Sequence, residues 1–322
     1  MLDPSSGAIM AMAQAPSFDP NDRSTMADPE RWQNRILSHG FEPGSVMKSV
    51  AICGALDYGV VSLNSTYDCE RGFWVYAKRP LRDSGHAYGT LTVNEIIQKS
   101  SNIGTAKIAL DMGDKRLFQV LQRFGFGSPT GTGFREFGEG APILFPGEAR
   151  GIFRELSRWD SLSITRFPIG QGILVTPLQL VQAYGAIANE GIMMQPYVVD
   201  HIRNPRTGEE RYSLPRVKGR AVRPHAARQI IEAMKLVTQS GGTATRAAIE
   251  GYAVAGKTGT AQKWVTGPGG QGGHYSHSQC ISNFIGMVPA DNPAFVLLVV
   301  ADEVTTGSRD GGNGRGPHLR RM

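Results

Sequence analysis

Two apolar runs near the end of the chain, Phe284 to Val288 and Phe295 to Ala301, are joined only by "PADNPA". Both have the β-branched and aromatic content of strands. Parallel strands need a crossover of a dozen or more residues, so this pair must run antiparallel. That excludes a sheet built only from regularly alternating βαβ units. "YAVAGKTGTAQ", beginning at Tyr252, supplies another strand, and the opening "MLDPSSGAIMAMAQ" reads as a hairpin that retains little of its first arm. Between these ends the pattern is helical. Apolar residues recur at helical spacing from Gly44 to Tyr58, with Gly59 as a stop. "TVNEIIQKSSNIGTAKIALDM" gives two helices broken at Ser100 to Asn102. "TPLQLVQAYGAIANEG" has Thr176 as N-cap, Pro177 at the first position and Gly191 past the end, and "HAARQIIEAMKLVTQS" is a further helix. The expected fold class is α+β: an antiparallel sheet formed by the N- and C-terminal segments, flanked by helices, with a large helical insertion. The sheet part is expected at about 1–48 and 245–322, the helical part at about 49–244. "VTGPGGQGGHYSHS" reads as a mobile loop.

Composition excludes whole classes of function. With 40% hydrophobic and 19% charged residues the chain is globular, and a formal charge of +6 over 322 residues is ordinary solvated charge, without the footprint of a nucleic-acid binder. The longest strongly apolar run, "FVLLVVA", is too short to span a bilayer, and no secretory signal opens the chain. Cys53, Cys69 and Cys280 form neither a disulfide framework nor a paired-cysteine zinc pattern. His274, His277 and Cys280 have ligand-like spacing but no evident fourth ligand, so no metal is expected there.

"GYAVAGKTGTAQK" admits two incompatible readings. Gly251 to Thr258 spells G-x-x-x-x-G-K-T, the phosphate-cradling loop of nucleotide hydrolases, and "VLLVVADE" resembles the acid-tipped strand that holds magnesium in them. That fold needs a parallel sheet and a helix after the lysine, whereas this chain offers antiparallel strands and "TGTAQK". The alternative, Lys257-Thr258-Gly259 as a K-T-G, demands two partners upstream. Of nine lysines only Lys48 follows a serine by three positions, as Ser45-Val46-Met47-Lys48. Ser-x-Asn occurs at Ser62 to Asn64 and at Ser100 to Asn102, and the second stands at a helix break. The ordered set S-x-x-K, S-x-N, K-T-G is far more specific than any member.

With "FEPGSVMK", "KSSNIGTAKIA", "GQGILVTPLQLVQAYGAIANEG", "AGKTGTAQK" and "FIGMVPADNP", the chain resembles the transpeptidase domain of penicillin-binding proteins, in particular the class B type of cell division or elongation. Spacing alone puts Ser45 and Lys48 one helical turn apart, and a lysine can accept a proton only if burial or a neighbouring cation such as Lys257 lowers its pKa. The resemblance implies that Ser45 is the acylated nucleophile, Lys48 its base and Ser100 a proton shuttle. Asn102 would bind the substrate amide, and Lys257, Thr258 and Thr260 would receive its carboxylate. Gly259 would let an extended peptide approach, and the backbone N–H groups of Ser45 and Thr260 would form the oxyanion hole. The implied reaction is peptidoglycan D,D-transpeptidation: Ser45 attacks a D-Ala-D-Ala stem peptide and passes the acyl group to a neighbouring stem's amine. β-Lactams would acylate the same serine, with no cofactor.

The same motifs serve a D,D-carboxypeptidase, a serine β-lactamase or a non-catalytic β-lactam sensor. No Glu-x-x-Leu-Asn follows "SSN", which weakens a class A β-lactamase. Class B members carry an N-terminal membrane anchor and a pedestal domain, absent from this sequence, and "DGGNGRGPHLRRM" stops where the family continues into a helix. The expectation is a domain truncated at both ends and less stable than the complete one. In full-length form it would sit on the extracytoplasmic, periplasmic face of the inner membrane, with a glycosyltransferase and divisome or elongasome proteins as partners.

Overall fold

The computed structural model describes residues 1–134, 143–145, 147–267 and 272–303. Its central sheet is antiparallel and ordered β1-β2-β3, with β1 at Ala255–Thr266, β2 at Gly273–Val288 and β3 at Phe295–Asp302. β2 and β3 pair from Val288 with Phe295 to Ile281 with Asp302, as their short link requires. The N-terminal arm adds a single bridge at the outer edge: Leu2 N–H donates to Val296 O at 2.9 Å, and Val296 N–H donates back at 2.8 Å.

One feature of the last third differs from the sequence reading. The stretch expected as a mobile loop is strand on both sides, because Val265 and Thr266 pair with His274 and Gly273. The ladder between Gln262–Cys280 and Trp264–Tyr275 absorbs the extra residues of β2 as a bulge, where Ser276 Oγ accepts the N–H groups of Ser278 and Gln279. Residues 268–271 and 304–322 of those expectations lie outside the described residues. The phosphate-loop match fails as the sequence reading argued: the chain after Lys257 continues as strand to Thr266, with no helix N-terminus to cradle an anion.

Six helices matter for the site: α1 (Met47–Asp57), α2 (Val93–Lys99), α3 (Asn102–Met112), α4 (Asp114–Arg123), α5 (Pro177–Ala188) and α6 (Pro224–Thr238). Thr92 and Thr176 cap α2 and α5 in reciprocal capping boxes with Glu95 and Gln179. α1 is buried along all eleven residues. Its Val and Ile side chains each contribute about 2 kcal/mol by leaving water. α6 packs on β1, α1 and α2, and α5 packs on β3. Both helices fall inside the expected helical part, yet they line the sheet, and one hydrophobic core runs from Leu2 and Val296 through α1 to Leu121. No helix among the described residues is long and apolar enough to cross a membrane.

Candidate active site

Ser45 sits in a short 3-10 turn, Gly44–Val46, that leads straight into α1. The turn is pressed into place by backbone contacts that only glycine permits. Gly44 has φ +62°, and a Cβ there would stand 2.7 Å from Thr260 O; one on Gly170 would stand 2.2 Å from Gly44 O. Hydrogen bonds hold the same turn from several directions. Gly44 N–H donates to Gly170 O at 3.2 Å, Asn283 Nδ2 to Pro43 O at 3.2 Å and Tyr184 Oη, from α5, to Val46 O at 2.7 Å. Ser45 itself is half-buried, and its hydroxyl makes no hydrogen bond among the described residues.

Ser100 occupies the break between α2 and α3. It closes α2 in the left-handed region, at φ 62° and ψ 42°, a conformation that costs a residue with a side chain of order 1–2 kcal/mol. Lys48 Nζ, fully buried on α1, donates to Ser100 O at 2.5 Å and to Ser100 Oγ at 3.1 Å. Lys257 Nζ, fully buried on β1, donates to the same Oγ at 2.8 Å and to Thr258 O at 3.2 Å. S-x-x-K, S-x-N and K-T-G, far apart in sequence, therefore converge, and the rival Ser62 to Asn64 lies in a surface turn before the Thr66–Asp68 strand.

Burial lowers the Lys48 amine from its ordinary 10.5 to about 7, with the Asp83 carboxylate and the Cys69 thiol pulling the other way. Lys257 is held well below its ordinary value by burial first and by repulsion from Lys48 second. The sequence reading named burial and Lys257 together as what lowers Lys48. Burial is the cause that acts on Lys48, and the repulsion between the two lysines registers on Lys257.

Asn102 opens α3. Its Nδ2 donates to Arg82 O at 2.7 Å, which leaves Oδ1 to accept from a substrate N–H. Thr258 is buried with its hydroxyl 2.9 Å from that of Thr243, and Thr260 is exposed further along β1. Gly259 has a reason besides the one expected: a Cβ there would lie 2.4 Å from Asn283 Oδ1 and 2.8 Å from Pro43 O. The missing side chain makes room for the Ser45 turn of the same protein.

Sequence reasoning missed Asp83 and Glu42. Buried Asp83 accepts Ser101 Oγ at 2.8 Å and the N–H groups of Asn102 at 2.5 Å and Ile103 at 3.1 Å, clamping the S-x-N turn. Glu42 Oε1 accepts Gly172 N–H at 2.8 Å and Tyr275 Oη at 3.0 Å. No local pattern marks Asp83, and Glu42 is visible only as a neighbour of "PGS". Among the described residues no group of three His, Cys, Asp or Glu side chains is placed to hold a metal.

A family model described as "Penicillin binding protein transpeptidase domain" matches residues 1–322. The chain is 33% identical over 322 residues to the probable peptidoglycan D,D-transpeptidase PenA of Neisseria gonorrhoeae, covering 100% of this chain and 50% of that protein. It is 33% identical over 318 residues to the peptidoglycan D,D-transpeptidase FtsI of Escherichia coli K12, covering 97% and 48%. The chain thus spans about half the length of these curated relatives. Among solved structures, apo penicillin-binding protein 3 of Mycobacterium tuberculosis superposes with a TM-score of 0.86 at 29% identity, over 99% of this chain and 70% of that one. The same protein complexed with aztreonam gives 0.85 at 29% identity, over 99% and 68%. The transpeptidase domain of Burkholderia pseudomallei penicillin-binding protein 3 gives 0.78 at 32% identity, over 99% and 83%.

Proposed function

Since the chain belongs to the penicillin-binding protein transpeptidase domain family, we propose that it is the catalytic part of a peptidoglycan D,D-transpeptidase acylated on Ser45. The observation that carries this reading is the convergence of two buried lysines on the Ser100 hydroxyl, beside the turn that presents Ser45. A hydroxyl that accepts from two amines still needs an acceptor for its own proton, and a neutral Lys48 supplies one.

In the first half-reaction Ser45 Oγ attacks the penultimate D-alanine carbonyl of a stem peptide. Its proton passes to neutral Lys48. The N–H groups of Ser45 and Thr260 hold the developing oxyanion, a role supported by the packing of Thr260 N against Gly44. The peptide C–N bond breaks as the departing amine takes a proton through Ser100, releasing D-alanine and leaving an ester on Ser45. Asn102 Oδ1 holds a substrate N–H, and Thr258 and Thr260, with the Lys257 charge behind them, receive the terminal carboxylate. An amine of a second stem peptide then attacks the ester and forms the cross-link. β-Lactams enter by the first step and remain as stable esters. A peptidoglycan substrate fits work on the extracytoplasmic face of the inner membrane, and relatives about twice this chain's length fit a longer, anchored protein acting with a glycosyltransferase of the divisome or elongasome.

The test is labelling with a fluorescent penicillin, followed by peptide mass spectrometry. Stoichiometric label on the Ser45 peptide, lost in Ser45→Ala, is the expected result. A folded chain that takes no label would overturn the reading.

A further inference from the structure

The groups so far placed in the site serve an anionic end of the first substrate: a strand that receives a carboxylate, with Lys257 behind it. The second substrate of transpeptidation has the opposite charge, because a primary amine is an ammonium near neutral pH. Glu42, three residues before Ser45 and bonded to Gly172 and Tyr275, offers the missing complement. Its carboxyl is drawn into the protein by Gly172 N–H and Tyr275 Oη, both on Oε1. Oε2 makes no hydrogen bond among the described residues and is not sealed from solvent. Among the described residues no Lys, Arg or His forms an ion pair with Glu42; Arg166, the cation acting on Tyr275, donates instead to Pro80 O at 2.9 Å. Tyr275 in turn meets exposed Trp264, on β1 beyond Thr260, edge-on at 5.2 Å.

We propose that Glu42 Oε2 is the docking anion for the ammonium group of the acceptor stem peptide. The proposal rests on the transpeptidase reading and deepens it by giving the second substrate a place. Burial raises the Glu42 carboxyl above its ordinary value, a cost that pairing with a cation reverses. The ammonium loses two protons on transfer: the N–C bond forms, the C–Oγ ester bond breaks, one proton restores the Ser45 hydroxyl and the other leaves to solvent. Glu42 exchanges no atom and acts by holding the amine.

The experiment acylates the chain with an N-acyl-D-alanyl thioester and measures how the acyl-enzyme divides between water and added acceptor. Glu42→Gln keeps an oxygen for Gly172 and Tyr275 while removing the charge. For a cationic primary amine, the KM in the variant should rise about tenfold, against less than twofold for hydroxylamine, which is neutral at the same pH. In the unmutated chain, raising ionic strength should raise the amine KM and leave that of hydroxylamine in place, a readout independent of the variant's folding. Equal effects on both acceptors, or an amine KM insensitive to charge and salt, would overturn the proposal. A folded chain that forms no acyl-enzyme would overturn the transpeptidase reading with it.

Discussion

The turns carrying Ser45 and Ser100 are built in opposite ways. At Ser45 the backbone is immobilised, by glycine contacts to Thr260 and Gly170 and by bonds from Tyr184 and Asn283, while the hydroxyl is left free. At Ser100 the backbone is strained, in a left-handed conformation between two helices, while the hydroxyl is tied to both lysines. A nucleophile gains from a fixed position and an unencumbered oxygen. A proton relay gains from permanent contact with the groups it serves. In this arrangement Lys48 bonds to Ser100, so on the proposed mechanism a proton taken from Ser45 would pass towards Ser100.

The widest gap should come from removing each hydroxyl. Ser45→Ala should abolish acylation by fluorescent penicillin, a loss of at least about 10³-fold, and Ser100→Ala should slow it by about 10²-fold. Equal losses would erase the distinction between nucleophile and relay. The acylation rate should rise with pH through a single ionisation near 7, since Lys48 acts when neutral. The same depressed pKa bears on folding. Between about 7 and 10.5 unfolded Lys48 holds a proton that the folded chain has released, so stability should climb with pH over that window. Lys48→Met should flatten the climb in denaturant titrations, and an unaltered slope would show that the amine is not depressed.

Backbone changes sharpen the contrast further. Gly170→Ala forces a Cβ against Gly44 O at φ +78° and should cost about 2–4 kcal/mol in chemical denaturation. Ser100→Gly relieves the left-handed strain and should move stability by less than about 1 kcal/mol while still slowing acylation. Similar costs at the two positions would mean that the turns are not built differently. Asp83→Asn should fall between these two, at about 1–3 kcal/mol through weakened bonds to Ser101, Asn102 and Ile103. Its charge also raises the Lys48 amine, so the variant's acylation midpoint should fall below 7; an upward move would contradict that placement.

What could be read in advance was whatever short-range chemistry dictates. The antiparallel β2–β3 pair follows from a short link, α5 from Thr176 and Pro177, and the break at Ser100 from an interrupted apolar period. The three motifs were legible as a set, although nothing local said that Ser100 would lie between Lys48 and Lys257. The extension of β2 back to Gly273 was hidden because its glycine, serine and histidine residues carry no strand pattern; pairing with Trp264 to Thr266 makes it strand. Asp83 and Glu42 were hidden for a related reason. Their importance comes from N–H groups brought to them by distant segments, which leave no trace in the neighbouring sequence.

The helix that follows Ser45 has no face towards solvent, since every residue from Met47 to Asp57 is buried. Each of its positions is a packing position, so replacing any of them opens a void or forces neighbours apart, whatever its distance from the reacting serine. Neutral drift has almost nowhere to act along this stretch. Invariance there among relatives would therefore record the tightness of the interior and say little about chemistry, and selection for altered drug reactivity would have to work through the surrounding turns and strands.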